Sequence, residues 1–112
     1  MVEDVESFRR KLLNVVATGQ GTETCIVIDG ELDAGGSEWF GACVSAVLEK
    51  RPGLVAIDAR RVTFLDSSGL RSLLLARAAA EDAGVAFRID DPSPELRRFI
   101  DRTGLGALLL DG

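Results

Sequence analysis

Apolar positions along this chain of 112 residues fall first at helical spacing and then in strand-length blocks separated by turn residues. Val5, Phe8 and Leu12 stand three and four apart, which predicts an extra amphipathic N-terminal helix within residues 1–11, centred on 3–11. Residues 12–18 fit either a continuation of that helix or a strand. Gly19-Gln20-Gly21 reads as a turn, and residues 22–29 (TETCIVID) are rich in β-branched side chains, so a hairpin across the Gly-Gln-Gly turn is favoured.

Beyond Gly30-Glu31-Leu32-Asp33 the chain leaves the sheet, and Ala34-Gly35-Gly36-Ser37 leads into a helix. Phe40, Cys43, Val44 and Val47 form its buried stripe, and Arg51-Pro52-Gly53 stops it. Residues 54–58 (LVAID) are nearly continuously apolar, as expected for a strand covered on both faces, and 59–65 read as a connection returning Val62, Phe64 and Leu65 to the core. A second helix follows Asp66-Ser67-Ser68-Gly69 and runs to about Ala83, ended by Gly84. Residues 85–89 are a strand. Asp91-Pro92-Ser93-Pro94 opens a third helix with Leu96, Phe99, Ile100 and Thr103 on its buried side, closed by Gly104. The apolar end, 105–110, packs back on the body.

Strands alternating with helices of this length predict an α/β fold: one domain over residues 1–112, with a mixed, mostly parallel sheet of about four to five strands and helices packed on it. A helical wheel of the second helix puts Leu75, Ala76, Ala79, Ala80 and Ala83 toward the sheet and Leu70, Leu74 and Ala78 outward. Outward leucines are either scattered surface positions or a ridge for a partner.

Composition narrows the function. Eighteen acidic against thirteen basic residues give a net charge of −5, which argues against a phosphate-backbone binder and against adhesion to anionic lipid. No apolar run approaches the ~20 residues that span a bilayer, and the acidic start lacks the order of a secretion signal, so a cytoplasmic location is expected. Cys25 and Cys43 lack CxxC spacing; two buried free thiols are preferred over a redox pair. The chain has no histidine, no GxxxxGK[ST] loop and no GxGxxG after a strand. That removes the histidine-dependent triads, the usual zinc sites and the common phosphate cradles, so neither enzyme activity, nor a metal, nor a cofactor is expected.

The Asp66-Ser67-Ser68-Gly69 turn carries the candidate chemistry. Its oxygens suit a helix N-cap, a structural role sufficient for one serine. The same position tolerates a phosphate, through free N–H groups and the helix dipole. A phosphoserine there would add about −1.5 to −2 charges, with Asp66 beside it as a repelling neighbour.

With Gly30-Glu31-Leu32-Asp33 upstream, the 54–58 strand, and Val62-Thr63-Phe64-Leu65-Asp66-Ser67-Ser68-Gly69-Leu70, the chain resembles the STAS family of sulfate-transporter and anti-sigma-factor-antagonist domains. Arg98-Phe99-Ile100-Asp101-Arg102-Thr103-Gly104-Leu105 is similar to the family's last helix, and the likeness covers about residues 12–110. It is greatest to the stand-alone bacterial anti-sigma-factor antagonists. That resemblance implies an antagonist which, unphosphorylated, binds an anti-sigma factor with serine kinase activity and frees a sigma factor. Phosphorylation of Ser68 releases it, and a metal-dependent (PP2C-type) phosphatase resets it. The implied partner-binding residues are Asp33, Asp66, Ser67, Ser68 and Gly69, to which the helix wheel adds Leu70, Arg71 and Leu74. A monomer or weak dimer is expected, without direct nucleic-acid or membrane contact. The alternative implied role is a STAS regulatory subunit of a membrane lipid-transport or other transport complex, without a phospho-switch.

Three features depart from the family pattern. These are the leading helix, the Gly35-Gly36 pair that loosens the next helix start, and Arg71 where many relatives carry a small residue. A large cation at a docking edge favours an acidic partner.

Overall fold

The computed structural model describes residues 5–10 and 13–109. Five strands form one sheet in the order β1-β2-β3-β4-β5: β1 (Val5–Arg10), β2 (Leu13–Gln20), β3 (Glu23–Leu32), β4 (Leu54–Leu65) and β5 (Ala86–Asp90). β1–β2 and β2–β3 are antiparallel, whereas β3–β4 and β4–β5 are parallel. The helices are α1 (Ala34–Glu49), α2 (Ser67–Asp82), α3 (Pro94–Thr103) and the short α4 (Gly106–Leu109). The expected mixed α/β fold is therefore present.

The expected N-terminal helix is not. Residues 5–10 are a strand paired with β2 from Val5↔Thr18 to Arg10↔Leu13, while the rest of that reading, residues 1–4 and 11, lies outside the described residues. A lone helix of two or three turns is marginal in water, and closing on β2 supplies a full ladder of backbone hydrogen bonds instead. The preferred hairpin follows, with its turn at Gly21-Thr22 rather than across residues 19–21. Gly21 takes φ of 63° at the first turn position, where a side chain would be strained.

The alternation in β2 and β3 fixes the buried face. Leu13, Val15, Ala17, Ile26 and Ile28 are all buried, whereas the intervening residues are half-buried or exposed. Val55 and Ile57 continue that core, and Ala56, on the opposite face between Cys25 and Arg88, is buried too. The apolar run at 54–58 is thus the central strand. It does not end there, because residues 59–65 extend β4 rather than forming a connection. Asp29, Gly30, Glu31 and Leu32 pair with Arg61, Val62, Phe64 and Leu65 through two register shifts, and α3 packs along the same strand. Phe64, expected to turn inward, is consequently exposed.

α1 buries the stripe read from its sequence, Phe40, Cys43, Val44 and Val47, together with Gly36. α3 starts on the Ser93 side chain, whose oxygen accepts from the Leu96 N–H, and ends on Gly104 in the left-handed conformation. Leu96 and Ile100 are its buried residues. Thr103 is exposed, contrary to expectation, and its hydroxyl donates to the Ile100 carbonyl oxygen at 2.9 Å. Leu105 is half-buried against the core and Leu109 is buried, so these two residues of the C-terminal apolar segment pack back as expected, while residue 110 lies outside the described residues.

The two cysteines have different surroundings. Cys43 is wholly in the core, whereas Cys25 is half-buried on the open face of the sheet, and the two form no disulfide. Burial, then the nearby Asp58, Asp90 and Glu23 carboxylates, push the Cys25 thiol above its ordinary value. Of these neighbours, Asp58 is held below the usual carboxylate range by its hydrogen bonds from Arg60. Nucleophilicity resides in the thiolate. A thiol reagent at neutral pH is therefore expected to modify Cys25 more slowly than a free thiol, and Cys43 only on unfolding. Mass mapping over time checks both.

Candidate functional site

Two helix starts converge at the end of β3, and they are built alike. Asp33 and Asp66 are the N-cap residues of α1 and α2, both with extended backbone. The Asp33 carboxylate accepts from the Gly36 N–H at 2.8 Å, and Asp66 accepts from the Gly69 N–H at 2.9 Å. The main chain repeats the likeness: Ser37 N–H donates to the Asp33 carbonyl and Leu70 N–H to the Asp66 carbonyl. Asp-Ala-Gly-Gly (33–36) and Asp-Ser-Ser-Gly (66–69) are thus one local design used twice.

The glycine in each has a packing reason. A methyl group on Gly36 would lie 2.8 Å from the Glu31 carbonyl oxygen and 2.9 Å from Leu13 Cδ2. On Gly69 it would fall inside the contact distance of the Leu32 carbonyl oxygen and lie 2.8 Å from Leu65 Cδ1. Both helix starts rest directly on the last two residues of β3, which only glycine allows. The Gly35-Gly36 pair, read from sequence as a loose helix start, is instead a close seat at Gly36.

From these seats α1 and α2 run side by side and leave a groove of about 400 Å³ between them. α1 contributes Ser37, Glu38, Gly41, Val44 and Ser45; α2 contributes Ser68, Arg71, Ser72, Leu75, Ala76 and Ala79. Small side chains make the gap, and Leu75, 55% exposed, stands in it. The Ser72 hydroxyl is committed to the Gly69 carbonyl oxygen at 2.6 Å. Ser68, the second residue of α2, is half-buried in the groove, and its hydroxyl makes no hydrogen bond to the described residues. Capping falls to Asp66, so neither serine is used up by it.

The residues expected to bind a partner separate into groups. Ser68 and Arg71 line the groove, and Ser67 is exposed beside it. Asp33 and Asp66 hold the helix starts. Gly69 is buried, and so is Leu70, at 6% exposure. Leu74 is half-buried against the core. The outward leucine ridge is therefore corrected. The buried side of α2 runs through Gly69, Leu70, Ser72, Leu73, Ala76 and Ala80, and Leu75 is the exposed leucine. The wheel was centred on the alanines, but Leu73, completely buried, sets the true centre because a large side chain gains most from leaving water.

The α1 wall was not anticipated. Its signal is the spacing of Ser37, Gly41 and Ser45, four apart on one face beside the apolar stripe. Among the described residues no cluster of three or more Cys, Asp or Glu side chains could hold a metal ion, and no helix is long and apolar enough to cross a membrane.

Comparison with known proteins agrees with this architecture. A STAS-domain containing protein of Pseudomonas aeruginosa (strain UCBPP-PA14) is 31% identical over 88 residues, covering 79% of this chain and 86% of its own length. The crystal structure of an anti-sigma factor antagonist from Mycobacterium paratuberculosis superimposes with a TM-score of 0.72 at 25% identity, over 87% of this chain and 82% of that one. The anti-sigma factor antagonist SpoIIAA of Bacillus shares the fold. Its unphosphorylated form has a TM-score of 0.69 at 23% identity, over 88% of this chain and 85% of that one, and its phosphorylated form 0.66 at 24%, over 88% of each. The family model described as "Mlab, STAS domain" matches residues 15–111, nearly the whole chain, and the chain belongs to the STAS-domain family.

Proposed function

We propose that this chain is a phospho-switched binding module. Unphosphorylated, it binds an anti-sigma factor that is also a serine kinase and so frees a sigma factor; phosphorylated on Ser68, it lets go, and a PP2C-type phosphatase resets it. The observation that carries this reading is the position of Ser68. It lies on the lip of an apolar groove, at a helix start where Asp66 does the capping and the serine hydroxyl makes no hydrogen bond to the described residues. The first N–H groups of a helix lack intrahelical partners, so a phosphate is accommodated there. The fold itself has been solved in unphosphorylated and phosphorylated forms in SpoIIAA.

The groove supplies the docking surface. Its exposed leucine and small side chains offer apolar area, and a group of about −1.5 to −2 charges at its edge would oppose an apolar partner segment leaving water. The module acts by binding and not by turnover, in the cytoplasm, where its partners would be.

Intact-mass analysis with site mapping, after incubation with candidate anti-sigma kinases and ATP, tests the reading. One phosphate on Ser68 and none on Ser67 is the expected result. A folded chain left unmodified by every kinase that binds it would overturn the switch and transfer the chain to the transport-complex role, in which the same turn stays unphosphorylated.

A further inference from the structure

Arg71 is the one cation among the residues lining the α1–α2 groove, and it makes no hydrogen bond or ion pair to the described residues. Most other arginines of the fold are engaged. Arg60 is bound to Asp58, Arg61 to Asp29, Arg77 to Glu81, Arg88 to Asp90 and Glu23, Arg98 to Glu95, and Arg102 lies over the Phe99 ring. Arg71 stands three residues after Ser68 on the same helix, a spacing at which side chains are neighbours. An exposed guanidinium without an acidic partner, one turn from a serine on the same groove, matches the planar recognition of a phosphoryl group.

We propose that Arg71 is the receptor for the phosphoryl group on Ser68, an inference that rests on the phospho-switch reading. The guanidinium would draw the phosphate along α2 and across the mouth of the groove. Phosphorylation would then do more than add charge, because the Arg71–phosphoserine pair would itself occupy part of the surface that an unphosphorylated partner needs. The charged groups around it are few. Asp66 sits two residues before Ser68 and Glu38 lines the groove from α1, both repelling a phosphate, so Arg71 is the group that compensates them.

Phosphoserine placed at position 68 during translation makes the test independent of any kinase. The probe is the phosphorus NMR titration of that residue in the otherwise wild-type chain and in the Arg71→Gln, Arg71→Met and Arg71→Lys variants. The second phosphate ionisation, near 6 in a free phosphoserine, is expected at least about half a unit lower with Arg71 than with Gln or Met, because an adjacent cation favours the dianion. Lys, a point charge without the planar fork, is expected between them. Thermal melting of the unphosphorylated variants should match the wild type, since Arg71 is exposed and has no ion pair or hydrogen bond to the described residues. Coincident titration curves for wild type and the Gln and Met variants would overturn the inference. If those curves coincide while phosphorylation still ejects the partner, only the role of Arg71 falls. If they separate while no kinase modifies Ser68, the phospho-switch falls and the local pairing stands.

Discussion

Gly69→Ala is expected to lower the stability of the fold by about 3–5 kcal/mol, a large share of the roughly 5–15 kcal/mol that holds a domain of this size together. The added methyl meets the end of the Leu65 side chain, which can yield, but its closest approach is to main chain, the Leu32 carbonyl, which cannot yield without moving the strand. Relief requires either α2 to lift from β3 or β3 to bend where it pairs with Leu65 through Leu32. Alanine is the better helix former by up to about 1 kcal/mol, which is too little to offset an overlap with backbone. A thermal midpoint about 12–20 °C below wild type would register this loss.

The same substitution at Gly41 should act in the opposite direction. Gly41 is inside α1, exposed, and a methyl there has no neighbour within 4 Å. Only the propensity gain remains, and stability is expected to rise by up to about 1 kcal/mol. Denaturant unfolding of the two variants side by side checks the contrast. A mild effect at Gly69, comparable to that at Gly41, would show that the seat of α2 on β3 is not close.

Why some of this was legible in the sequence and some was not follows from the kind of signal each feature leaves. The α1 stripe was readable because Phe40, Cys43, Val44 and Val47 repeat with the helical period and face one core. The cap and stop of α3 were readable because Ser93, Pro94 and Gly104 each carry a strong local preference. β1 was misread because a strand of six residues leaves too short a record to show its period against three apolar residues at helical spacing. Its fate was decided by a partner strand, which is not local information. The extension of β4 to Leu65 was hidden for a related reason: beyond Asp58 it is buried only at Ala59, Val62 and Leu65, a three-residue spacing without the alternation that marks a strand. At the site, the turn and its two serines were evident. Which atom does the capping was not, since Asp66, Ser67 and Ser68 are all competent N-caps and only the geometry assigns the task to Asp66. The groove depended on two helices meeting, so its α1 wall had no representation in the neighbourhood of the serines.

Ser68→Ala is expected to hold its anti-sigma partner through an ATP challenge that removes the wild-type chain. The substitution deletes a hydroxyl with no hydrogen bond to the described residues and leaves the Asp66 cap intact, so fold and initial affinity should stay near wild type. What disappears is the site of a charge change of about −1.5 to −2 at the edge of an apolar groove. Because like charges and unpaired desolvated groups at an interface cost several kcal/mol, phosphorylation should weaken the wild-type complex by about 100-fold or more, while Ser68→Ala is unaffected by ATP. Ser68→Glu should fall between them, since a carboxylate brings one negative charge and lacks the reach and third oxygen of a phosphate. Titration calorimetry before and after ATP, with the same partner for all three chains, gives the order directly. Equal loss of partner by wild type and Ser68→Ala would move the switch away from Ser68. Ser67→Ala, exposed and outside the groove lining, should behave as wild type in the same assay, and its failure to do so would assign the acceptor to the neighbouring serine.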